Sequence, residues 1–233
     1  MAAGLASGRR PQVVFVVEGS AAEADTALPL QGGALPVTAI THRVAEKMST
    51  LETPPAVMAV FPDLQPPPLT ALRSTGLLTV YADRIADPGN LGTLMRAAAA
   101  FGVAALLCSP GCADPFAPKV LRASMGAVFS LALYPEQLLS GALRDLAPVH
   151  AYGLAAHGGA DLASSALARP AVLCVGAERA GLSPEVAQLV TESLTIRLAP
   201  GVAAIESLNA GVAGAIALYE FSRRTGATPT FGG

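Results

Sequence analysis

Short apolar runs alternate along the chain with amphipathic or turn-rich segments, and the alternation falls into two blocks. In the first block, apolar runs at 13–20, 35–40 and 55–61 read as strands. An amphipathic helix starts at Thr41, its expected N-cap, and 21–28 suits a short helix. A proline-rich stretch, 62–76, then reads as an extended linker. In the second block, strands are predicted at 77–82, 103–108, 128–134, 149–155, 171–176 and 194–198. Helices are predicted at 91–102, from 119, at 135–147 and at 184–194, the last with Ser183 as cap and Pro184 at its first position. The final helix carries no polar side chain between Asn209 and Tyr219, a pattern that predicts burial on all sides. Strands alternating with helices imply an α/β fold with a parallel sheet covered on both faces. The expected organisation is a tail at 1–11, a small α/β domain at 12–61, the linker at 62–76, a larger domain at 77–225 and a tail at 226–233.

Composition supports a well-buried α/β protein: 52% of residues are hydrophobic, 14% are charged and Trp is absent. No apolar run is long enough to span a bilayer, and the N-terminus lacks the apolar core of a signal peptide, so a cytoplasmic location is expected. The formal net charge of −2 supplies no global attraction to nucleic acid, so any RNA contact must come from local Arg and Lys. Cys108, Cys112 and Cys174 lack metal-spaced His partners; they read as buried thiols, and no metal is expected.

Candidate chemistry sits in three loops at expected strand ends, where open α/β sheets bind ligands. The first holds Asp83, Arg84, Asp87, Pro88 and Asn90, with Arg96 inside the following helix; if Asn90 caps that helix, it turns inward while Arg96 points out of the second turn. The second is GAERAGLSPE, 176–185, where Gly176 permits close backbone approach and Glu178 is expected at a cleft. The third brings Glu206, Ser207 and Asn209 just before the last helix. The glycine spacing matches neither a dinucleotide fingerprint nor a P-loop, so a ligand held by backbone groups at strand ends is favoured over a dinucleotide.

DRIADPGNLGTLMRAAAAFG, VLCVGAERAGLS and IESLNAGVAGAIALYE, in that order, resemble motifs one, two and three of the SpoU-type (TrmH-like) RNA 2′-O-ribose methyltransferases of the SPOUT superfamily. KVLRASMGAVF resembles a further segment of these enzymes, and FVVEGS with KMSTLETPPAVMAVF resembles the small ribosomal-protein-like RNA-binding domain that often precedes them. The resemblance implies a trefoil-knotted α/β methyltransferase domain, S-adenosyl-L-methionine as cofactor, a homodimer, and an RNA substrate, with ribosomal RNA favoured over tRNA. It places catalytic roles on Asn90, Arg96, Glu178, Ser207 and Asn209. Cofactor contacts fall on Ala156, His157, Gly176, Ala177, Ile196, Leu198 and Leu208, where Ile196 and Leu198 compete for one role. RNA contacts are expected from Arg84, Lys119 and Arg122. Arg197 stands where the family usually has Pro. The alternatives are a non-catalytic RNA-binding protein of the same fold and a tRNA 2′-O-methyltransferase.

Methyl transfer places a ribose oxygen in line behind a sulfonium methyl, so positioning should dominate. The resemblance assigns proton removal to Arg96. A guanidinium stays protonated in proteins, which favours Arg96 as a phosphate-binding residue that orients the 2′-hydroxyl.

Overall fold

The structure is a computed structural model and describes residues 1–20, 37–199 and 207–225. It divides into two units, Met1–Leu64 and Gln65–Gly233. In the first, β1 (Val13–Val17) is the central strand, paired parallel to β2 (Val37–Ile40) and antiparallel to β3 (Val57–Val60). Helix α2 (His42–Met48) follows Thr41, which occupies the cap position in extended backbone without a side-chain capping bond. Val17, Ile40 and Ala45 form a small core with Phe15 and Met58 against them. The expected tail at 1–11 instead contains a short helix, α1 (Ala2–Ala6), closed by Ser7 Oγ donating to Gly4 O at 2.7 Å. The helix expected at 21–28 lies outside the described residues.

The second unit is built on seven parallel strands: β4 (Leu78–Asp83), β5 (Ala105–Cys108), β6 (Ala132–Tyr134), β7 (His150–Leu154), β8 (Ala160–Asp161), β9 (Ala171–Gly176) and β10 (Glu192–Thr195). Their order is β6-β5-β4-β9-β7-β10-β8. Strands β4 and β9 are buried at every position, as central strands of a sheet covered on both faces must be. The helices are α3 (Pro88–Ala100), α4 (Pro118–Ala123), α5 (Leu139–Leu146), α6 (Pro184–Ala187) and α7 (Ala210–Thr225).

Several expected boundaries shift. The linker expected at 62–76 ends early, because Leu69–Thr75 forms a 3-10 helix whose Leu69 joins Leu139, Ala142 and Leu146 in one core cluster. Arg73 Nε, from the same turn, donates to Asp145 O at 3.1 Å. The strand expected at 128–134 divides into a 3-10 turn, Ala127–Phe129, and β6. The helix expected at 184–194 stops at Ala187: Thr191 donates from both N and Oγ1 to Ala151 O, each at 2.7 Å, and starts the pairing of β10 with β7. As a result β10 ends at Thr195, and 196–198 lies beyond the strand rather than within it.

Helix α7 is not buried all round. Ala217, Leu218 and Phe221 are sealed, while Val212 (44%), Ile216 (37%) and Tyr219 (50%) share an exposed face. Close helix contacts depend on missing side chains. A Cβ on Gly214 would meet Leu94 Cδ1 at 2.5 Å, and one on Gly211 would meet Thr93 at 3.1 Å, so α7 lies directly on α3. A Cβ on Gly92 would run into Ala123 Cβ and sit 2.9 Å from Val120 O, so α3 and α4 are in near backbone contact. Among the described residues no helix is long and apolar enough to cross a membrane.

Candidate active site

The carboxyl ends of β7 and β9, the segment past β10 and the start of α7 surround a pocket of about 600 Å³ including its open mouth. Strand β7 contributes Leu154, with Ala155 and Ala156 just beyond it. Strand β9 contributes Val175 and Gly176, followed by Ala177, Glu178 and Gly181. Ile196 and Leu198 form another wall, and Ser207, Leu208, Ala210 and Ala213 close the side under α7. This is the place where open α/β sheets take ligands. The lining is mostly apolar side chain and main chain; Ser207 adds a hydroxyl, and Glu178 is the one ionisable side chain among the described lining residues.

The loop that presents Glu178 is shaped by its neighbours. Gly181 has φ 64° and its N donates to Ala177 O at 2.8 Å, closing a tight turn. A Cβ on Gly176 would collide with Gly181 and Leu182 backbone, so only glycine fits where the loop folds back over the strand end. From the next strand, Asp83 Oδ2 accepts from Ser183 N at 2.6 Å while Asp83 is 2% exposed. The carboxylate thus ties the far end of the turn to β4, with Arg84 Nε 3.7 Å from its other oxygen.

The three candidate loops meet through Asn90. Its side-chain amide donates to Glu178 Oε1, and its carbonyl oxygen accepts from Asn209 Nδ2 at 2.7 Å. Asn209 is the cap of α7, its Oδ1 accepting from Val212 N at 3.2 Å. Asn90 itself is not the cap of α3. Asp87 holds that place, accepting from Asn90 N at 2.8 Å with Pro88 behind it at the first helical position, which leaves the Asn90 side chain free to bridge.

The structure therefore brings Asn90, Glu178, Ser207 and Asn209 together with Ala156, Gly176, Ala177, Ile196, Leu198 and Leu208 around one pocket. Ile196 and Leu198, read as competitors in the sequence, both line it. His157 is exposed and does not line the pocket. Arg96 lies on the exposed face of α3 with Thr93 and Ala100, outside the pocket lining, and makes no hydrogen bond or ion pair among the described residues. Lys119 and Arg122 are exposed on α4. Glu206 lies outside the described residues. Arg197 pairs with Asp161 at 3.0 Å and so joins the third loop to β8. Sequence reasoning gave no role to Leu154, Val175, Ala210 and Ala213, all of which line the pocket, or to the Asp83 clamp; Gly181, expected only to serve a tight turn, does so and lines the pocket as well. Position at a strand end was the available signal for Val175 and for Asp83. Of the three thiols, Cys108 and Cys174 are buried as expected, but Cys112 is only half-buried.

Comparison with known proteins gives a consistent picture. The model of the SpoU rRNA Methylase family matches residues 77–219. An uncharacterized tRNA/rRNA methyltransferase of Synechocystis sp. is 37% identical over 202 residues, covering 83% of this chain and 69% of that protein. A 23S rRNA (uridine-2′-O)-methyltransferase of Streptomyces viridochromogenes is 32% identical over 194 residues, covering 76% of this chain and 65% of that protein. The chain thus spans about two thirds of the length of these relatives. The crystal structure of the SpoU methyltransferase AviRb from S. viridochromogenes with AdoMet superposes with a TM-score of 0.80 at 26% identity, covering 98% of this chain and 88% of that one.

Proposed function

The chain belongs to the SpoU rRNA methylase family, is an RNA methyltransferase with S-adenosyl-L-methionine as methyl donor, and we propose that it methylates a ribose 2′-hydroxyl of ribosomal RNA. The observation that carries this reading is the bridge from Glu178 through Asn90 to Asn209 at the edge of a strand-end pocket.

The pocket suits the donor. Leu154, Ile196, Leu198 and Leu208 offer apolar surfaces for an adenine ring, and the backbone at Gly176, Ala177 and Leu208 offers groups for its polar edges. Among the described lining residues Glu178 is the single carboxylate, a complement to a cation. The donor, when bound, supplies an electrophilic methyl group. Asn90 and Asn209 fix the Glu178 carboxylate and the start of α7, and Ser207 offers a hydroxyl at the rim. Arg96, exposed on α3, takes the target phosphate and sets the ribose hydroxyl in place; Arg84, Lys119 and Arg122 extend the contact along the backbone.

Ribosomal RNA is favoured because the S. viridochromogenes relative is named for it. The small N-terminal unit is proposed to grip that RNA. A trefoil knot belongs to the same reading, supported by the strand order that sets β9 between the earlier strands β4 and β7. So does a homodimer, supported by the exposed apolar face Val212, Ile216 and Tyr219. Sedimentation of the purified chain tests the dimer: Ile216→Glu should shift it to monomer, and a wild-type monomer at all concentrations removes it.

The activity is tested with methyl-labelled donor on unmethylated ribosomal RNA and tRNA, followed by mapping of alkali-resistant linkages. Label at a ribose of ribosomal RNA is expected. Label confined to tRNA overturns the substrate assignment alone. Donor binding without transfer to either RNA overturns catalysis in favour of an RNA-binding role.

A further inference from the structure

Strand β10 stops at Thr195, and residues 196–199 lie in no strand. Ile196 and Leu198 line the pocket, while Arg197 between them does not. The Arg197 side chain is 78% exposed, and its Nε lies 3.0 Å from Oδ2 of Asp161 at the end of β8, a side chain only 20% exposed. The connection that carries Asp161 starts at another wall of the same pocket, Leu154, Ala155 and Ala156. It is bound along β10 by main chain. Ala155 N donates to Leu194 O at 2.9 Å, Gly159 N to Thr195 Oγ1 at 2.9 Å and Leu162 N to Thr195 O at 3.0 Å. A Cβ on Gly159 would come within 2.7 Å of Ser193 O and Thr195 Oγ1, so glycine lets the connection lie flat on the strand.

These main-chain ties end at Thr195. Among the described residues, the ion pair with Asp161 is the only polar tie that 196–198 makes. An exposed ion pair is weak by default, because two long side chains must be ordered to form it. Here one end is ordered already. Asp161 Oδ1 accepts from Ala163 N at 3.1 Å, and Asp161 O accepts from Ser164 N at 3.0 Å, Ser165 N at 2.9 Å and Ser165 Oγ at 2.8 Å. Arg224, from the end of α7, holds the far side of that turn by donating to Ser165 O at 2.9 Å. Arg197 therefore pairs with a carboxylate that is fixed in place.

We propose that Arg197 and Asp161 are a positioning pair for methyl-donor binding, holding Ile196 and Leu198 in place as one wall of the pocket. The proposal rests on the reading of this pocket as the donor site. Neither member of the pair lines the pocket, so both act through their neighbours. Each belongs to a different wall: Asp161 to the connection from Ala155 and Ala156, Arg197 to 196–198. The pair clasps the two walls from outside, and because Ile196 and Leu198 flank Arg197, a single contact sets both. A wall ordered before the donor arrives spares binding the cost of ordering it. The wall meets the donor alike before and during transfer, so the gain falls on donor affinity and leaves the chemical step unchanged. With Arg197 this exposed, salt screens the pair, and donor affinity inherits that sensitivity.

The test is calorimetry of S-adenosyl-L-methionine binding to the full chain as wild type, Asp161→Asn, Arg197→Gln and the double variant. Asparagine keeps an acceptor for Ala163 N, so the turn is preserved while the charge is lost. Each single variant should bind the donor about two- to fivefold more weakly, the range of an exposed pair. The double variant should be no weaker than either single one, and Arg197→Lys should recover part of the loss. In about 1 M salt the gap between wild type and variants should close. In methyl transfer, the donor KM should rise while kcat and the KM for RNA stay the same. Unchanged donor affinity in the single variants, additive losses in the double variant, or a higher RNA KM for Arg197→Gln alone would each overturn the pair and leave the donor site standing. A wild-type chain that binds no donor would overturn the donor reading and the pair with it.

Discussion

The side-chain carbonyl of Asn90 accepts from Asn209 Nδ2 at 2.7 Å across 119 residues of sequence, while its amide donates to Glu178. Because oxygen and nitrogen face different partners, an aspartate of the same shape cannot replace it. Asn90→Asp removes one donor and sets two carboxyl groups together. A lost partner for a semi-buried polar group costs about 1–3 kcal/mol, or about ten- to a hundredfold in kcat/KM if it is felt in the transition state. Single-turnover methyl transfer should show that loss, with partial recovery as pH falls and the new carboxyl regains a proton to donate. A wild-type rate for Asn90→Asp would remove the bridge from the mechanism.

Arg96 stands outside the pocket, so donor binding and transfer should separate. Arg96→Ala is expected to abolish methylation while calorimetry finds the affinity for S-adenosyl-L-methionine unchanged. Arg96→Lys should recover little, since a point charge does not reproduce a planar, two-pronged grip on phosphate. Near-normal turnover of Arg96→Ala on its true RNA would reassign the residue.

Gly176→Ala forces the folded-back turn off the end of β9, because the added methyl meets backbone rather than a movable side chain. Overpacking of this kind costs about 1–3 kcal/mol. Denaturant midpoints should fall accordingly, and donor affinity should fall with them, since the same turn lines the pocket. Gly158→Ala, at a position with open space around it, reports the strain of a positive φ without the collision.

Glu220 donates charge balance to the end of α7, accepting from Arg223 at 2.9 Å and Arg224 at 2.8 Å. Arg224 in turn donates to Ser165 O at 2.9 Å and to Ala163 O. The hydrogen bond from Arg223 is the first cause that holds the Glu220 carboxyl below its ordinary value of 4.5. A depressed folded value means a contribution fully present above about pH 4.5 and lost as pH falls through the lower folded value. Glu220→Gln should therefore lower stability slightly at neutral pH and flatten its decline in acid. Parallel acid-unfolding curves for wild type and variant would count against the link.

The order of strands and helices was legible because a buried parallel sheet writes itself as apolar runs separated by amphipathic ones. So was the gathering of Gly176, Glu178 and Leu208, since each follows or precedes an element at the same end of the sheet. Residues 188–194 misled, because local helix-compatible residues gave way to pairing of Thr191 and β10 with β7, a contact no local pattern carries. Asp87 was overlooked as the α3 cap although Pro88 beside it was a usable sign. The open face of α7 was illegible for a deeper reason. Val212 and Ile216 have the same apolar character whether they meet their own chain or something else, so composition predicts that they will be covered without saying by what.

Gly92 has a meaning beyond packing. By letting α3 lie almost on α4, it locks Arg96 to the platform that bears Lys119 and Arg122. Cations spaced by a rigid frame act as a template: a strand whose phosphates are set at another interval must bend to fit or be refused. Under the proposed RNA-binding roles of these cations, selection of the RNA resides in the stiffness of two joined helices as much as in any base contact.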